Sequence, residues 1–571
     1  MPVDKKTIAI VVVLSLIIVF YGQILEMLGL SKPSPPIPQQ TTADSVAVVA
    51  RETTITQVTA ATPAPTVPPP AFAQVDSTAL KADTVTVNTN KYTILLSSVG
   101  GGPVSIRLKD YVYRNKKTIE LLPESKSAAP VARYAGSSVS TGTLPFTCTL
   151  APGSYDATQK DLQIEYVYQN PKGGAIRQAY TFHPNKFDFD LALTVEGREQ
   201  LGFERQYNLY WPTPLGVTEP SAENDYATFE AVGLMLNSRE KLNDFKDSLL
   251  DQTLSGPVSW AALRSQYFAV AMIPRGDSAT GIFAKGRRTT ISQNNSRFEK
   301  RELTVGLDMP LASTSTVVDS FTIFAGPLDY SLMSDYDVSL EAILDIGTTP
   351  FFGMIIKPFA IGIIWLLPRM YDVIPNYGFV IILFAILIKI ITLPLSLKSY
   401  KSMAAMKDLQ PKIEELRKKL KNNPQQLNAE TMKLYKAHGV NPFSGCLPML
   451  PQMPLFFALF AVFRSTILLR DAPFVWFIND LSRGAASLTD PYMILVVLMV
   501  AAQFLSSLLT MSGNPQNKML AYLMPLMMGF IFYRFAAGLV LYWTAFSVLS
   551  VADYYLFRRS RNTEVKLPVT S

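Results

Sequence analysis

Apolar residues in this chain are gathered into long runs, and this clustering constrains the fold more than any other feature. Residues 8–25 form one run, and most of the others follow Pro350. A run of about 20 apolar residues is long enough to cross the hydrocarbon core of a bilayer as an α-helix. With 48% hydrophobic residues overall, the sequence predicts a membrane α-helical bundle and a separate domain outside the membrane.

The N-terminal run is interpreted as a membrane anchor. Lys5 and Lys6 precede it, which favours a cytoplasmic N-terminus. Because no small-x-small motif lies close to its end, an uncleaved anchor over residues 1–28 is favoured over a cleaved signal sequence. Residues 29–80 are rich in proline, threonine and alanine, a composition that buries too little apolar surface to fold. They are predicted to form a flexible linker.

Residues 81–345 are predicted to form a large all-β sandwich domain outside the cytoplasm. Their apolar residues recur with a period of two, which is typical of strands with one buried face. In the clearest strand, 187–195, the apolar side chains share one face, while Asp188 and Asp190 take the other. The turn at 170–174 contains Pro and two Gly residues and predicts a hairpin between the strands on either side. Nothing in this domain indicates a catalyst.

The first apolar run of the C-terminal half is predicted to lie flat on the outer face of the membrane. If residues 351–367 crossed, the loop at 398–441 would face outward, although it holds ten lysine and arginine residues against four acidic ones. Cytoplasmic loops carry the excess of positive charge in membrane proteins. Residues 350–370 are therefore assigned to an interfacial helix.

The core of the bundle, residues 376–561, is predicted to hold five membrane helices. Together with the anchor they make six crossings, which leaves both termini in the cytoplasm and residues 562–571 as a short cytoplasmic tail. The predicted spans are 376–397, 442–468, 490–511, 519–534 and 538–557.

Polar side chains on four of these helices are predicted to lie at one depth, in the cytoplasmic half of the membrane. Lys389 sits inside an apolar run, where a cation costs roughly 2.5 to 3.5 kcal/mol and by default marks a functional cavity. One helical face carries four residues at the spacing i, i+3, i+4 and i+7, which are Gln503, Ser506, Ser507 and Thr510. The other candidates at this depth are Gln452, Tyr542, Thr544, Ser547 and Ser550.

Together these residues predict a hydrophilic groove that opens to the cytoplasm and receives the polar part of a substrate. Two other interpretations stay open. A lysine near the inner interface can extend its ammonium to lipid phosphates. Serine and threonine hydroxyls in membrane helices often bond to backbone carbonyls or pack between helices. The shared depth favours the groove, because an extended lysine does not account for a polar stripe on a different helix.

The loop at 398–441 is predicted to be a cytoplasmic helical hairpin. Apolar residues recur at helical spacings before the break at 422–424, and a second helix ends near His438. Four cations of this hairpin are expected to contact a partner, namely Lys412, Arg417, Lys418 and Lys419. A basic hairpin at the membrane surface suits anionic lipid, a nascent chain or ribosomal RNA, and a solvated hairpin without a partner is the alternative.

Catalytic, metal and cofactor sites are not expected. The two cysteines, Cys148 and Cys446, are too few for a disulfide framework or a metal cluster, and no phosphate-binding loop of the Walker type occurs. Neither histidine lies in an apolar segment, and no acidic residue is recognised near Lys389, so an enzyme acting within the membrane is not expected. A small-molecule or ion transporter is the alternative function, although the prolines at 448–454 have no counterpart in a repeated half.

One segment has a specific resemblance. Residues 441–460 read NPFSGCLPMLPQMPLFFALF and resemble the hallmark of the YidC/Oxa1/Alb3 family of membrane protein insertases, as do 376–379, 409–413 and 537–542. The resemblance is close over 350–561, and the anchor with a large periplasmic β domain matches the arrangement of Gram-negative members. It implies a bacterial inner-membrane protein that inserts and helps to fold nascent membrane proteins, alone or with the Sec translocon, without nucleotide hydrolysis or a cofactor.

The partners that the resemblance implies are nascent membrane proteins, the Sec translocon, membrane lipids and, for some members, the ribosome; no DNA is expected. Few residues follow Arg561, whereas members that use their C-terminus for ribosome binding have an extended basic tail. The family usually has arginine where this chain has Lys389. Lysine cannot form the bidentate pair that a guanidinium makes with a carboxylate, so a single compact charge is expected in the groove.

Overall fold

The structure, a computed structural model, describes residues 82–564 with gaps at 114–117, 124, 126, 138, 172, 294–295, 347–351, 421–422, 441–448 and 511–514. The predicted anchor at 1–28 and linker at 29–80 lie outside the described residues. An all-β region comes first along the chain and a helical region follows it. The described residues of both regions belong to one compact unit.

Nineteen strands form two sheets in the described part of the all-β region. In chain order they are β1 (Thr84–Asn88), β2 (Tyr92–Ser97), β3 (Gly102–Val112), β4 (Thr118–Leu122), β5 (Val131–Tyr134), β6 (Thr147–Cys148), β7 (Gly153–Asp156), β8 (Leu162–Gln169), β9 (Ala175–Phe182), β10 (Asp188–Glu196), β11 (Gln206–Trp211), β12 (Glu230–Met235), β13 (Ser238–Leu242), β14 (Phe245–Lys246), β15 (Leu249–Arg264), β16 (Phe268–Arg275), β17 (Ala279–Gln293), β18 (Ser296–Pro310) and β19 (Thr316–Pro327).

The two sheets differ in size. The smaller has the strand order β4-β3-β2-β1-β7, and the larger follows β5-β11-β18-β17-β15-β16-β19-β10-β9-β8-β6. Strands β12 and β14 pair with β15, and β13 pairs with β12. Among the strand pairs that the structure describes, β1 and β7 are parallel and the others are antiparallel. The predicted all-β sandwich is therefore confirmed.

Strand β10 shows how the period of two shapes this region. Its alternate apolar residues from Phe189 to Val195 are at most 2% exposed, and it pairs in antiparallel register with β9 and β19. The predicted hairpin is confirmed as the antiparallel pair of β8 and β9. Asp188 lies on the face opposite these apolar residues, and it is buried as well. Asp188 is 4% exposed and accepts a hydrogen bond from the Tyr336 hydroxyl, because the segment after β19 covers this face of the sheet.

Ten α-helices occur in the described residues, eight of them after the β region. They are α1 (Ala222–Thr228), α2 (Tyr330–Ser334), α3 (Phe352–Val373), α4 (Tyr377–Asp408), α5 (Gln410–Lys419), α6 (Pro424–Ala437), α7 (Met449–Ser465), α8 (Met493–Thr510), α9 (Pro515–Phe532) and α10 (Ala537–Glu564). The first part of the predicted span at 442–468 falls in a gap, since residues 441–448 lie outside the described residues.

Helix α4 is longer than the predicted membrane span. Asn376 caps its start, because the side-chain oxygen accepts hydrogen bonds from the backbone N–H groups of Gly378 and Phe379. The helix then runs 32 residues to Asp408, well past the predicted end at 397. A new helix begins around Pro411, which lacks the N–H needed to continue the hydrogen-bond ladder. The predicted start of the hairpin at 398 is thus not a break in the chain.

Helix α3 is continuous through Pro358 and Pro368. By length and composition, its segment Gly353–Val373 is one of three described helices that could cross a membrane, together with Tyr377–Asp408 and Ala537–Phe557. The apolar parts of α8 and α9, Met493–Leu509 and Tyr522–Phe532, are shorter. Helix α3 packs against α7. The interfacial position of residues 350–370 stays a prediction.

The β region and the helical region meet at the loop after α7. Ile467 of this loop belongs to the hydrophobic core of the β region. Arg470 Nε lies 2.8 Å from Glu219 Oε1, and the same guanidinium donates hydrogen bonds to the carbonyl oxygens of Val112 and Thr218 at 3.2 and 3.4 Å. The side chains of Arg470 and Glu219 are 5% and 11% exposed. Burial raises the pKa of Glu219 to about 7 in spite of the nearby guanidinium.

Candidate functional site

Lys389 lies in a buried ion pair between α4 and α10. Its Nζ is 3.0 Å from Oδ2 of Asp553 and donates a hydrogen bond of 2.8 Å to the hydroxyl of Ser550. The ammonium also lies 4.5 Å from the centre of the Phe546 ring. Lys389 is 6% exposed and Asp553 is 8% exposed. The ammonium therefore meets protein side chains from the facing helix.

Helical spacing on α10 explains this arrangement. Phe546, Ser550 and Asp553 follow one another at i, i+4 and i+7, which places all three on one face of the helix. The Ser550 hydroxyl donates its own proton to the carbonyl oxygen of Phe546 at 2.8 Å. This bond leaves a lone pair of the Ser550 oxygen free to accept from Lys389.

Pairing makes both charges tolerable in an apolar bundle. A lone lysine or aspartate at the centre of a membrane helix costs roughly 2.5 to 3.5 kcal/mol on the insertion scale. An ion pair with further hydrogen bonds offsets much of this cost, whereas removing one partner of a buried pair typically costs about 3 to 5 kcal/mol. Lys389 and Asp553 are therefore best regarded as a single unit.

The expectation that no acidic residue lies near Lys389 is wrong, because Asp553 of α10 pairs with it. Asp553, like Lys389, is a charged residue inside a predicted membrane span, where a charge is costly and usually functional. The helical spacing from Ser547 and Ser550 would also have placed it on the polar face. An acid and a base on different helices, each without a local partner, are a signal for pairing that the sequence does contain.

A second polar contact joins α8 to α10. The Ser547 hydroxyl donates a 2.8 Å hydrogen bond to Oε1 of Gln503. Ser547 is 2% exposed and Gln503 is half-buried. Because Ser547 lies one turn before Ser550 on α10, the two contacts form one polar cluster. We define this polar cluster as Lys389, Gln503, Ser547, Ser550 and Asp553.

The other predicted groove residues lie at several places on α7, α8 and α10. Thr544 donates to the carbonyl oxygen of Val540 in its own helix at 2.7 Å. Tyr542 is 1% exposed, and its hydroxyl has no hydrogen-bond partner among the described residues. Gln452 lies half-buried in the first turn of α7, and Ser507 is buried in α8 near half-buried Ser506. The side chain of Thr510, the last residue of α8, lies outside the described residues.

Aromatic side chains lie next to the cluster on the side of the hairpin. The Tyr400 hydroxyl donates to the carbonyl oxygen of Ser550 at 3.4 Å. The Tyr400 ring lies 6.0 Å from that of Tyr554 and 5.9 Å from that of Phe557. Tyr400 is 7% exposed, so it is buried where α4 contacts α10.

The hairpin helices α5 and α6 carry the predicted contact residues on their surface. Lys412, Arg417, Lys418 and Lys419 are all exposed. Lys412 Nζ lies 3.3 Å from Nε2 of His438, whose Nδ1 lies 2.9 Å from the carbonyl oxygen of Leu434. This contact joins the start of α5 to the end of α6. Arg417, Lys418 and Lys419 are exposed at the end of α5.

The chemistry available in the polar cluster is exchange of ionic and hydrogen-bond partners. It holds one ammonium, one carboxylate, two hydroxyls and one amide. Within the described ranges, no group of three or more His, Cys, Asp or Glu side chains is placed to hold a metal ion. A polar chain segment entering this cluster would find both donors and acceptors.

Comparison with known families gives two matches along the chain. The family described as "60Kd inner membrane protein" matches residues 369–564. The family described as "YidC periplasmic domain" matches residues 84–361. Between them the matches cover most of the described residues.

Individual proteins are also similar to this chain. The membrane protein insertase YidC of Chlorobaculum tepidum is 34% identical over 546 residues, which cover 90% of each chain. The membrane protein insertase YidC of Syntrophus aciditrophicus is 33% identical over 490 residues, covering 84% of this chain and 85% of the relative. A solved structure of an active YidC insertase with its first transmembrane domain resolved aligns with 84% of this chain and 93% of its own, at 19% identity and a TM-score of 0.35.

Proposed function

The chain belongs to the YidC family of membrane protein insertases, and we propose that it inserts nascent membrane proteins by receiving their polar flanks at the polar cluster. The resemblance at 441–460 and the predicted fold class are thereby confirmed, and the family is not a class of enzymes. The apolar segment of a substrate moves along the helices into lipid, and its burial drives insertion. The flank meets hydrogen-bond partners partway across, which lowers the cost of leaving water.

The observation that carries this proposal is the Lys389–Asp553 ion pair beside the hydrogen bond from Ser547 to Gln503. A bundle that only had to pack is often as stable with apolar side chains in place of a buried ion pair. Polar groups inside a membrane bundle therefore support a functional role. Three helices, α4, α8 and α10, contribute to the cluster, so a flank held there contacts the centre of the bundle.

We extend the groove to residues that lie outside the polar cluster. Gln452, Ser506, Ser507, Thr510, Tyr542 and Thr544 are proposed contacts of a substrate as it moves. The buried Tyr542 hydroxyl supports this role, because it has no hydrogen-bond partner among the described residues and can form a hydrogen bond with a substrate that passes it.

The proposed topology follows the charge distribution. The domains are an anchor at 1–28, a linker at 29–80, a periplasmic domain at 81–345, an interfacial helix at 350–370, the insertase core at 376–561 and a tail at 562–571. Both termini and the hairpin at 398–441 lie in the cytoplasm, in agreement with the excess of lysine and arginine in that loop. The membrane is the bacterial inner membrane, which the chain crosses six times.

Further partners are proposed from the family and from the exposed hairpin cations. The Sec translocon would hand over substrates, and the chain would help them to fold as a chaperone. Lys412, Arg417, Lys418 and Lys419 support contact with anionic lipid headgroups, a nascent chain or the ribosome, because each is exposed.

Insertion by a double variant tests the proposal. Lys389→Met with Asp553→Leu removes both charges at once, so stability should be kept or raised. Full-length protein in liposomes would receive a single-span reporter with an uncharged polar flank, and insertion would be measured by protease protection. We expect a loss of about tenfold, or ~1.4 kcal/mol.

The matched control removes an exposed ion pair. Lys91→Met with Asp110→Leu deletes a 3.0 Å pair of the β region and should insert the reporter at the wild-type rate. A photoreactive side chain at Gln503 should crosslink to stalled nascent chains, and one at Val497, which is 60% exposed on the same helix, should crosslink to lipid. A folded double variant with wild-type insertion would contradict the proposal.

A further inference from the structure

We propose that Asp553 determines the substrate class of this insertase: by neutralising Lys389, it favours translocated flanks that are polar and uncharged over acidic or basic ones. This inference rests on the proposed function above and concerns the same polar cluster. It follows from a pair of opposite charges where the sequence alone indicated a single cation.

The Lys389–Asp553 pair carries no net charge, and its two groups are in contact. The ammonium and the carboxylate are 3.0 Å apart, and their side chains are 7% and 11% exposed. In a surrounding of low polarity, opposite charges at this distance interact strongly and cancel the field that each would exert on an approaching chain. A substrate flank therefore meets a site without net charge.

An acidic flank has to displace a resident carboxylate. If an incoming aspartate or glutamate binds the Lys389 ammonium, Asp553 remains charged and buried without a partner, which is strongly destabilising. A basic flank carries the corresponding cost. When its lysine or arginine pairs with Asp553, the Lys389 ammonium is left buried without an ionic partner. Flank charges of both signs thus carry a penalty that a site with one charge would impose on only one sign.

An uncharged polar flank avoids this penalty. Asparagine, glutamine, serine or threonine side chains can exchange hydrogen bonds with Gln503 and Ser547, which already form a donor–acceptor pair at 2.8 Å. The Lys389–Asp553 ion pair stays intact during this exchange. Specificity of this kind comes from the cost of the wrong partner more than from extra contacts with the right one.

Three matched reporters test the inference. They share one apolar segment and differ only in a flank that carries two Asp, two Asn or two Lys residues, and they are presented to full-length protein in liposomes of neutral lipid. For the wild type we expect the Asn flank to insert about fivefold faster than either charged flank, equivalent to ~1 kcal/mol.

Charge variants should move the preference in opposite directions. Asp553→Asn leaves Lys389 unpaired and should raise the ratio of Asp-flank to Asn-flank insertion by about fivefold while lowering the Lys-flank ratio. Lys389→Met leaves Asp553 unpaired and should raise the Lys-flank ratio instead, so it gives an independent test if Asp553→Asn does not fold. Exchanging the two residues, Lys389→Asp with Asp553→Lys, restores the pair and should restore the preference for Asn.

The outcomes separate the two proposals. Asp408→Asn removes an exposed carboxylate at the end of α4 and should keep the wild-type ratios. Equal insertion of the three flanks by the wild type, or ratios unchanged in both single variants, would overturn the inference while leaving the insertase function in place. Failure of the wild type to insert any reporter would overturn the proposed function and this inference with it.

Discussion

A single carboxyl group, that of Glu219, shows how burial controls ionisation outside the membrane. It lies between strands of the β region and Arg470, and its side chain is 11% exposed. Desolvation raises its pKa to about 7, while the guanidinium acts in the opposite direction. The folded chain therefore holds a proton on Glu219 at pH values where the unfolded chain has released it.

This proton makes stability depend on pH in a predictable direction. Because the pKa rises from 4.5 to about 7 on folding, the stabilising contribution is fully present below about pH 4.5 and is lost as pH rises through about 7. Denaturant unfolding at pH 5.5 and 8 should give a larger free energy of unfolding at the lower pH. Glu219→Gln should flatten this difference relative to the wild type.

The control for this prediction is Glu199→Gln. The Glu199 side chain is 88% exposed, so its replacement should leave the pH dependence of unfolding as it is in the wild type. A Glu219→Gln variant with the full wild-type pH dependence would show that another group carries the effect.

Residues differ in how well the sequence predicted their roles. Lys389 was identified from the sequence because a cation inside an apolar run is energetically costly and usually has a function. Asp553 was not recognised as its partner, although it lies three residues after Ser550 on the same helical face. Helical periodicity predicts which face a residue occupies, but it does not predict which helix lies opposite that face. The sequence therefore contains both charges, and the structure shows that α4 and α10 bring them within 3.0 Å of each other.

Among the elements, helix α4 has a close contact in its first turn. A Cβ atom added to Gly378 would overlap the ring of Phe474, which belongs to the loop between α7 and α8. We expect Gly378→Ala to lower the free energy of unfolding by about 1 to 3 kcal/mol, because the ring has to move. Thermal unfolding of the detergent-solubilised protein measures this loss.

Gly362→Ala is the matched control in a neighbouring helix. Nothing lies within 4 Å of an added Cβ at Gly362, so this change should be tolerated and should favour the helix slightly. Equal melting temperatures for the two variants would contradict the packing argument.

Element types were easier to predict than element boundaries. The turn residues at 170–174 predicted the β8–β9 hairpin, which the structure forms as an antiparallel pair. The end of α4 at Asp408 was not predicted, since the change from apolar to charged residues near Lys398 marks the membrane surface and not the end of the helix. Residues 398–408 contain no helix breaker, so the backbone ladder continues into the polar region.

At the scale of the whole molecule, Arg470 joins the β region to the helical region. Arg470→Met removes its ion pair and its hydrogen bonds to backbone carbonyls, which leaves buried acceptors unsatisfied at about 1 to 3 kcal/mol each. We expect faster amide hydrogen exchange in peptides covering 215–225 and 466–472, as measured by mass spectrometry.

Arg483→Met is the control for this junction. Arg483 pairs with Asp490 and lies 4.5 Å from the Tyr492 ring, all within the helical region. Its replacement should leave exchange at 215–225 unchanged. If both segments of Arg470→Met exchanged amide hydrogens at the wild-type rate, contacts other than those of Arg470 would be joining the two regions.

The unbroken course of α4 gives the molecule a lever. At about 1.5 Å per residue its 32 residues make a rod of about 48 Å, and Pro394 removes one N–H from the hydrogen-bond ladder along it. Taking Pro394 as a pivot, Lys389 lies on an arm of about 7 Å and Asp408 on one of about 21 Å. For a small rotation about this pivot, the displacement at Asp408, where the cytoplasmic helices begin, is about three times the displacement at Lys389.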